Sequence, residues 1–414
     1  SLLATSSPSF SLPPSSTGSD MALEGFQTRP SISGEVFIER NAGVQTKRDS
    51  LVYKFTKKEL EVTLDDLRNL SSADLAEKYQ LAEDGRDWTI EWAKQDVLKN
   101  DGNIIQVAYH PFDARWTYFS GRTKGFMAYP RTPLMWSALQ PNRLLLTVRN
   151  PRRGNVNSFF VAGTVVDKDS VSPFDNVTFF PLYTYPDPRT SQQTFNLQGE
   201  QRTNFSPTFL HSLSAKLGLP PRRPHNLPAN LTPEDIFHYI YAVFYSPGYR
   251  SRYAEFLKID FPRLPLTGNL VLMRELARLG STLVALHSLE SPMIDNFLTE
   301  FIGNSREVTN VEYSDNTVWI NAAGARGGTI GGPSGFHGVS EPVWNFNIGG
   351  YQICDKWLKY RKGRTLTKSD IVHYQRIVVA LSETIRLMQE IDEVIEAHGG
   401  WPGAFSTTGT VKSD

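Results

Sequence analysis

One cysteine, Cys354, stands in 414 residues. A lone thiol excludes an internal disulfide and any metal site built from several thiolates, and it fits a reducing compartment. Between Gln352 and Trp357 it reads as a small buried apolar residue rather than a nucleophile. No apolar run is long enough to span a bilayer. The Ser/Pro-rich opening, residues 1–25, lacks the apolar centre of a signal peptide and reads as a disordered lead. A chain that opens on Ser also reads as a piece of something longer. Missing too are the Gly-Lys-Ser/Thr ending of a P-loop, a Gly-rich cofactor turn after a strand and a cluster of metal ligands. The Asp/Asn-Pro-Pro-Tyr/Phe tetrapeptide of amino-methyltransferases is absent as well. No motif here performs chemistry by itself.

Net charge is also missing: 43 basic residues balance 43 acidic ones. That argues against a protein that coats nucleic acid indiscriminately, and permits one with a basic face and an acidic back. A hydrophobic content of 40% is ordinary for a chain with a real core, and the length suits two or three domains. An aromatic content of 12% is high and suggests extensive interfaces between subdomains.

Acids vanish from one place in particular. From Arg115 to Arg153 there are eight basic residues (Arg115, Arg122, Lys124, Arg131, Arg143, Arg149, Arg152 and Arg153) and no Asp or Glu. Trp116, Tyr118, Phe119, Phe126, Tyr129 and Trp136 are threaded among them. Cations among aromatics suit a surface that neutralises phosphates and stacks on bases; a solvated loop face is the plain alternative. The run Lys356, Lys359, Arg361, Lys362, Arg364 and Lys368 is a second cluster, either a solvated helix end or a further phosphate-contacting patch.

The pattern predicts an α+β chain: a β-rich module, then a mostly helical region with a small β-hairpin and a long C-terminal helix. Residues 26–102 read as a strand plus an acidic helical connector, with Leu60, Leu64, Leu67 and Leu70 at helical spacing and a second helix start at Ser71. Residues 103–230 form the β-rich module, with strands around Ile104–Tyr109, Leu144–Val148, Ser158–Val161 and Val177–Phe180. Its last part, Asp187 to Asn230, reads as an irregular connection. Residues 231–414 are mainly helical. Thr232-Pro233-Glu234-Asp235 is a strong helix start, and helices are predicted over Tyr249–Lys258 and Leu270–Leu289. A hairpin follows with its turn at Ser314–Thr317, then a Gly-rich loop from Gly324 to Gly338 in which Arg326 is placed to touch a backbone phosphate. The last helix opens on a capping box, Thr367 with Asp370, and carries Ile371, Tyr374, Val378, Leu381, Ile385, Met388 and Ile395 on one stripe.

Tyr109-His110-Pro111-Phe112-Asp113-Ala114-Arg115 is the sharpest local signal. It reads either as a scaffold that aims Arg115 at a ligand or as a purely structural strand-to-loop corner. His110 beside Asp113 also admits acid–base work.

With Phe180-Pro181-Leu182-Tyr183, Pro233-Glu234-Asp235-Ile236-Phe237-His238-Tyr239, Tyr249-Arg250-x-Arg252-Tyr253, Phe261-Pro262-Arg263-Leu264-Pro265 and Val343-Trp344-x-Phe346-x-Ile348-Gly349-Gly350-Tyr351, this corner forms an ordered series. Lys356-Trp357-Leu358-x-x-Arg361 closes it. Together they resemble the C-terminal specificity region of Type ISP-like restriction-modification enzymes and related large adenine-N6 DNA methyltransferases, from about Phe26 to Trp401. Gly43-Val44-Gln45-Thr46-x-x-Asp49 is similar to the segment where such proteins leave the methyltransferase core. The methyltransferase and helicase parts are lacking.

The resemblance implies a target-recognition domain that reads a short asymmetric duplex DNA sequence and presents an adenine, flipped from the stack, to a catalytic domain elsewhere. That catalytic domain, in the same polypeptide or a partner subunit, would bind S-adenosylmethionine. This chain would hold no cofactor or metal and would methylate nothing alone; a nuclease-helicase is a further implied partner, and the setting is the prokaryotic cytoplasm. Arg122, Lys124, Arg131, Arg149, Arg152, Arg153, Asn155 and Asn157 are the candidate DNA contacts in the β module, joined by Lys47 and Arg48, by Arg115 and Arg326, and by Lys359, Arg361 and Lys362. Two rivals stay open: a stand-alone hydrolase using His110 and Asp113, and a protein-interaction scaffold docked through the final helix.

Overall fold

The computed structural model describes residues 26–153, 156–186, 201–222, 226–321 and 332–406. The predicted disordered lead, Asn155 and Arg326 lie outside them.

Short runs rich in β-branched, aromatic and other apolar residues build the module as two small sheets. The first joins β1 (Asn41–Ala42), β4 (Leu144–Val148), β5 (Phe159–Ala162) and β7 (Val177–Pro181) in the order β1-β7-β4-β5, all antiparallel. Its strands β4 and β5 are buried along their whole length, so they read as continuous apolar runs. The second sheet joins β2 (Asn103–His110), β3 (Asp113–Phe119) and β6 (Val165–Val166) in the order β3-β2-β6. All four predicted strands are present. The first sheet also recruits β1 from far upstream, so the N-terminal segment is part of the module's framework. Gly43 makes that approach possible: a Cβ there would lie 2.5 Å from the Asp167 carbonyl.

The opening of the basic stretch is a strand rather than a loop. Along β3 the alternate residues Asp113, Arg115, Thr117 and Phe119 are all buried. Strand geometry, not charge, therefore decides where Arg115 points.

Beside the sheets sit α1 (Lys57–Asn69), α2 (Ser72–Lys78) and α3 (Ile90–Lys99). The first is capped by the reciprocal Thr56/Glu59 box and the second by Ser71. The part predicted to be irregular contains α4 (Pro207–Leu217), capped by Ser206 with Pro at its first turn and ended by the left-handed Gly218. Leu210, Leu213 and Leu217 on its buried face carry the helical period that the surrounding Gln, Asn and Pro residues obscure.

The support domain centres on α5 (Pro233–Tyr245) packed against α6 (Leu270–His287). Their backbones approach closely at Gly280, where a Cβ would meet the His238 carbonyl at 1.9 Å. The predicted helix over Tyr249–Lys258 is two short ones, Pro247–Arg252 and Ala254–Leu257. The hairpin of β8 (Glu312–Ser314) and β9 (Thr317–Trp319) turns at Asp315-Asn316, both at positive φ (50° and 55°), the backbone a two-residue hairpin requires. Gly335–His337, expected within a loop, is a strand paired to β9.

Residues Ile353–Lys359 form α7, and the chain ends in α8 (Lys368–Ala397) behind the Thr367/Asp370 box. Its buried seam runs through Tyr374, Val378, Leu381, Thr384, Leu387, Ile391 and Ile395. That is one residue off the predicted stripe at Ile385 and Met388, because packing against α6 selects which face of the helix is buried. Aromatic contacts weld module to support: Phe159 stacks on Phe244 at 4.9 Å, and Phe160 on His287 at 5.3 Å.

Candidate nucleic-acid interface

The Tyr109–Arg115 corner is structural. Asp113 is buried between two arginines, with Arg115 Nη2 donating to it at 2.6 Å and Arg361 Nη2 at 3.0 Å. Phe55 lies under the guanidiniums of Arg115, Arg364 and Arg361 at 3.4, 4.0 and 5.1 Å, and Trp357 covers Arg361 at 3.4 Å. Burial alone would raise the Asp113 carboxyl, but Arg361 and Arg115 beside it hold it below the usual carboxylate range. Phe112, at φ 59°, accepts from His373 Nε2 at 2.7 Å. Arg115 (4% exposed) and Arg361 (7% exposed) thus join the β2–β3 hairpin to α7 and α8, and the structure places both in the interior rather than on an exposed surface.

The hydrolase alternative fails at the same place. His110 is packed against the rings of Tyr109, Tyr351 and Tyr360, and burial pushes its imidazole down to about 3, so it stays neutral. Both Asp113 oxygens are already taken by arginine, leaving neither residue free for acid–base work. Cys354 is buried with its thiol pushed up to about 12 by desolvation.

Exposed cations gather elsewhere, where the segment 45–47 pairs with the loop 124–131. Gln45 and Tyr129 exchange two backbone hydrogen bonds of 2.9 Å, and Lys124 N–H donates to the Ala128 carbonyl at 3.0 Å. Asn41 Nδ2 donates to the Arg131 carbonyl at 2.9 Å, tying the same loop to β1. This frame holds three exposed basic residues in the left-handed region: Lys47 at φ 66°, Lys124 at 57° and Arg131 at 51°. Non-glycine residues rarely adopt that backbone, and it persists where the surroundings over-determine it, typically at functional surfaces. Each cation has an aromatic or acidic neighbour. Lys124 sits 4.8 Å from the Trp92 ring, Arg131 5.3 Å from Tyr129, and Lys47 Nζ 3.7 Å from Asp87.

The other predicted contacts divide by their partners. Arg48 is half-buried over Trp88 and donates to the Ala82 and Glu83 carbonyls, so it ties the loop before α3. Arg122 bridges Asp96 and Asp101, and those hydrogen bonds strengthen its hold on its proton. Arg149 pairs with Asp260 at 2.7 Å and Arg152 with Asp175 at 3.2 Å, both still exposed. Arg153 stacks at 3.6 Å on the exposed Phe174. The Asn157 carbonyl accepts from Gly349 N–H at 3.0 Å, linking module to support. In the second cluster Lys359 pairs with Asp355 at 2.9 Å, and Lys362 is exposed with no ion pair among the described residues.

Arg40 escaped the sequence reading because Glu39 beside it cancels the local charge. It is exposed at the start of β1, its guanidinium 5.0 Å from the Phe261 ring, and Arg149 lies 5.8 Å from the same ring. Phe261 therefore connects the 124–131 side, through β1, to Arg149.

Beneath this surface, Asp167 bridges to Val44 and accepts from Tyr53 Oη at 2.7 Å. Burial and then the nearby Asp49 push its carboxyl up to about 8. From about pH 4 to about pH 8 the unfolded chain ionises this group while the folded chain keeps it protonated, so stability falls over that window and levels above it. Asp167→Asn, which cannot ionise, is expected to raise the melting temperature at about pH 8 and to leave it nearly unchanged at about pH 4. Thermal denaturation at the two pH values checks this.

A rigid framework whose exposed loops carry cations beside aromatic rings defines a recognition module, one that acts through a surface. The chain belongs to the Type ISP C-terminal specificity domain family, which matches residues 35–390. Its fold is similar to that of the ATP-dependent Type ISP restriction-modification enzyme LlaBIII bound to DNA (TM-score 0.62, 16% identity), covering 88% of this chain and 24% of that one. The DrdV–DNA complex gives a TM-score of 0.61 at 19% identity, covering 86% of this chain and 36% of the other. A nuclease-deletion mutant of the Type ISP enzyme LlaGI, in complex with a DNA substrate mimic, gives 0.56 at 16%, covering 89% and 29%. The chain thus spans about a quarter to a third of the length of these structures. No curated protein matches the sequence.

Proposed function

We propose that this chain recognises a specific double-stranded DNA sequence as the specificity part of a restriction-modification enzyme whose catalytic domains lie outside it. The observation that carries this reading is the set Lys47, Lys124 and Arg131, held in left-handed backbone on the exposed loops beside Tyr129 and Trp92. Family membership supports it, as does the presence of DNA in the structurally similar proteins. Arg40 and Arg149 extend the surface, and Arg152, Arg153 and Lys362 are outlying phosphate contacts. Arg122, held by two aspartates, orders its loop and contributes less.

At the finer level, the domain serves methylation at adenine N6. S-adenosylmethionine binds the separate methyltransferase domain, a nuclease and helicase act beyond it, and the enzyme works in a prokaryotic cytoplasm. The parts are a lead of residues 1–25, a connector over 26–102 that lends β1 to the module of 103–230, and a support over 231–414.

Titration of the chain against a pool of random duplexes, read by fluorescence anisotropy, tests the proposal. Binding is expected at low salt, with the logarithm of affinity falling against the logarithm of salt at a slope of about −3 or steeper. Selection from the pool is expected to enrich one asymmetric sequence. Absence of binding at low salt would overturn it.

A further inference from the structure

Arg250 is a buried cation that no carboxylate among the described residues neutralises. It is 6% exposed, on the short helix that follows α5, and makes no ion pair among the described residues. Its Nε donates to the Phe244 carbonyl at 2.6 Å, its guanidinium packs 4.4 Å from the Tyr245 ring, and Nη2 has no hydrogen-bond partner. Removing such a charge from water is costly unless an anion or a full set of acceptors replaces the lost solvent. Asp392, beside this helix, is occupied by Ser246 Oγ and Gly248 N–H.

Arg250 lines a cleft of about 390 Å³ where the β module, the 342–347 turn and α8 meet. Asn157, Asn345, Asn347 and Gln389 share the lining with Phe346, Asn347 Nδ2 already donating to the Asn345 carbonyl at 2.7 Å, and no Asp or Glu is among the lining residues. An arginine offers a charged fork to phosphate oxygens, amides match the mixed donors and acceptors of a base edge, and an aromatic ring offers a stacking face. The volume is within the range of small-ligand sites.

We infer that this cleft binds a single phosphate-bearing nucleotide unit, with Arg250 as the phosphate-binding cation and the Asn345 and Gln389 amides on the base. The site is separate from the Lys47–Lys124–Arg131 surface and does not depend on duplex binding there. It accounts for an otherwise uncompensated charge at the junction of module and support, and for Ile385 and Met388 of α8 lying outside the buried seam and lining the same cleft.

Isothermal titration of the chain with deoxyguanosine and deoxyadenosine monophosphates, the matching nucleosides and inorganic phosphate tests this. At least one monophosphate is expected to saturate at one site and to bind tenfold or more tightly than its nucleoside. Gln389→Glu, which leaves the helix and its buried seam untouched, is expected to weaken it at least tenfold while circular dichroism and duplex binding stay unchanged. Arg250→Met should abolish it, provided the variant melts cooperatively. No saturable binding of either monophosphate at millimolar concentration would overturn the proposal, as would unchanged affinity in Gln389→Glu. Phosphate binding as tightly as the monophosphates would overturn the assignment of the amides to a base. A nucleotide-blind chain that still binds duplex would sink this inference and leave the DNA reading standing.

Discussion

Asp113→Ala is expected to destabilise the chain by about 3–5 kcal/mol, the usual range when one partner of a buried ion pair is removed and the other charge stays behind. The effect here belongs at the upper end, because two guanidiniums, Arg115 and Arg361, would lose their shared carboxylate together. Neither can swing into solvent without uncovering Phe55 and Trp357. Urea denaturation of the wild type and variant measures the loss. Replacing Asp113, Arg115 and Arg361 together by apolar residues of similar volume should restore much of it, since no charge then remains buried. If Asp113→Ala unfolded at the wild-type midpoint, the corner would not be the joint between hairpin and helices. A secondary effect on DNA affinity is expected only through unfolding.

The second large effect is on binding. Arg40, Lys47, Lys124 and Arg131 are exposed, so converting all four to Gln should leave the melting temperature within a few degrees. Each phosphate-neutralising cation removed should reduce the salt slope by about 0.9. Without all four, duplex binding should weaken by about a hundredfold or more near physiological salt, with the salt slope falling by about three to four. Arg115→Gln and Arg361→Gln should lower stability and leave the salt slope of the folded fraction unaltered. That contrast separates a surface that binds from an ion cluster that holds the fold. A quadruple variant binding as well as the wild type would remove the 40–47 and 124–131 surface from the DNA interface.

Local structure was legible in the sequence where a physical rule acts over a few residues. The helix start at Thr232, the capping box at Thr367, the Ser314–Thr317 turn and the four apolar strands all depend on neighbours along the chain, and all are present. The helix Pro207–Leu217 was hidden by its polar flanks, although Ser206-Pro207 and the leucines after it carried the signal. The seam of α8 shifted by one residue because packing against α6, not the helix's own sequence, selects the buried face. The candidate site was legible only in outline. Its composition pointed to the region between Arg115 and Arg153, and the loop 124–131 lies within it.

Two things followed from the sequence by itself: the family, through an ordered series of motifs, and the existence of one acid-free, aromatic-rich basic stretch in a neutral chain. Only the tertiary structure decided which of those cations are free to act. A charge is available or spent according to its partners, and those partners are remote: Arg361 reaches Asp113 across 248 positions, and Arg149 reaches Asp260 across 111. The same geometry buries Arg115 on the inner face of a strand and leaves Arg40 exposed beside Phe261. Basicity is a property of composition; exposure of a particular guanidinium is a property of the fold.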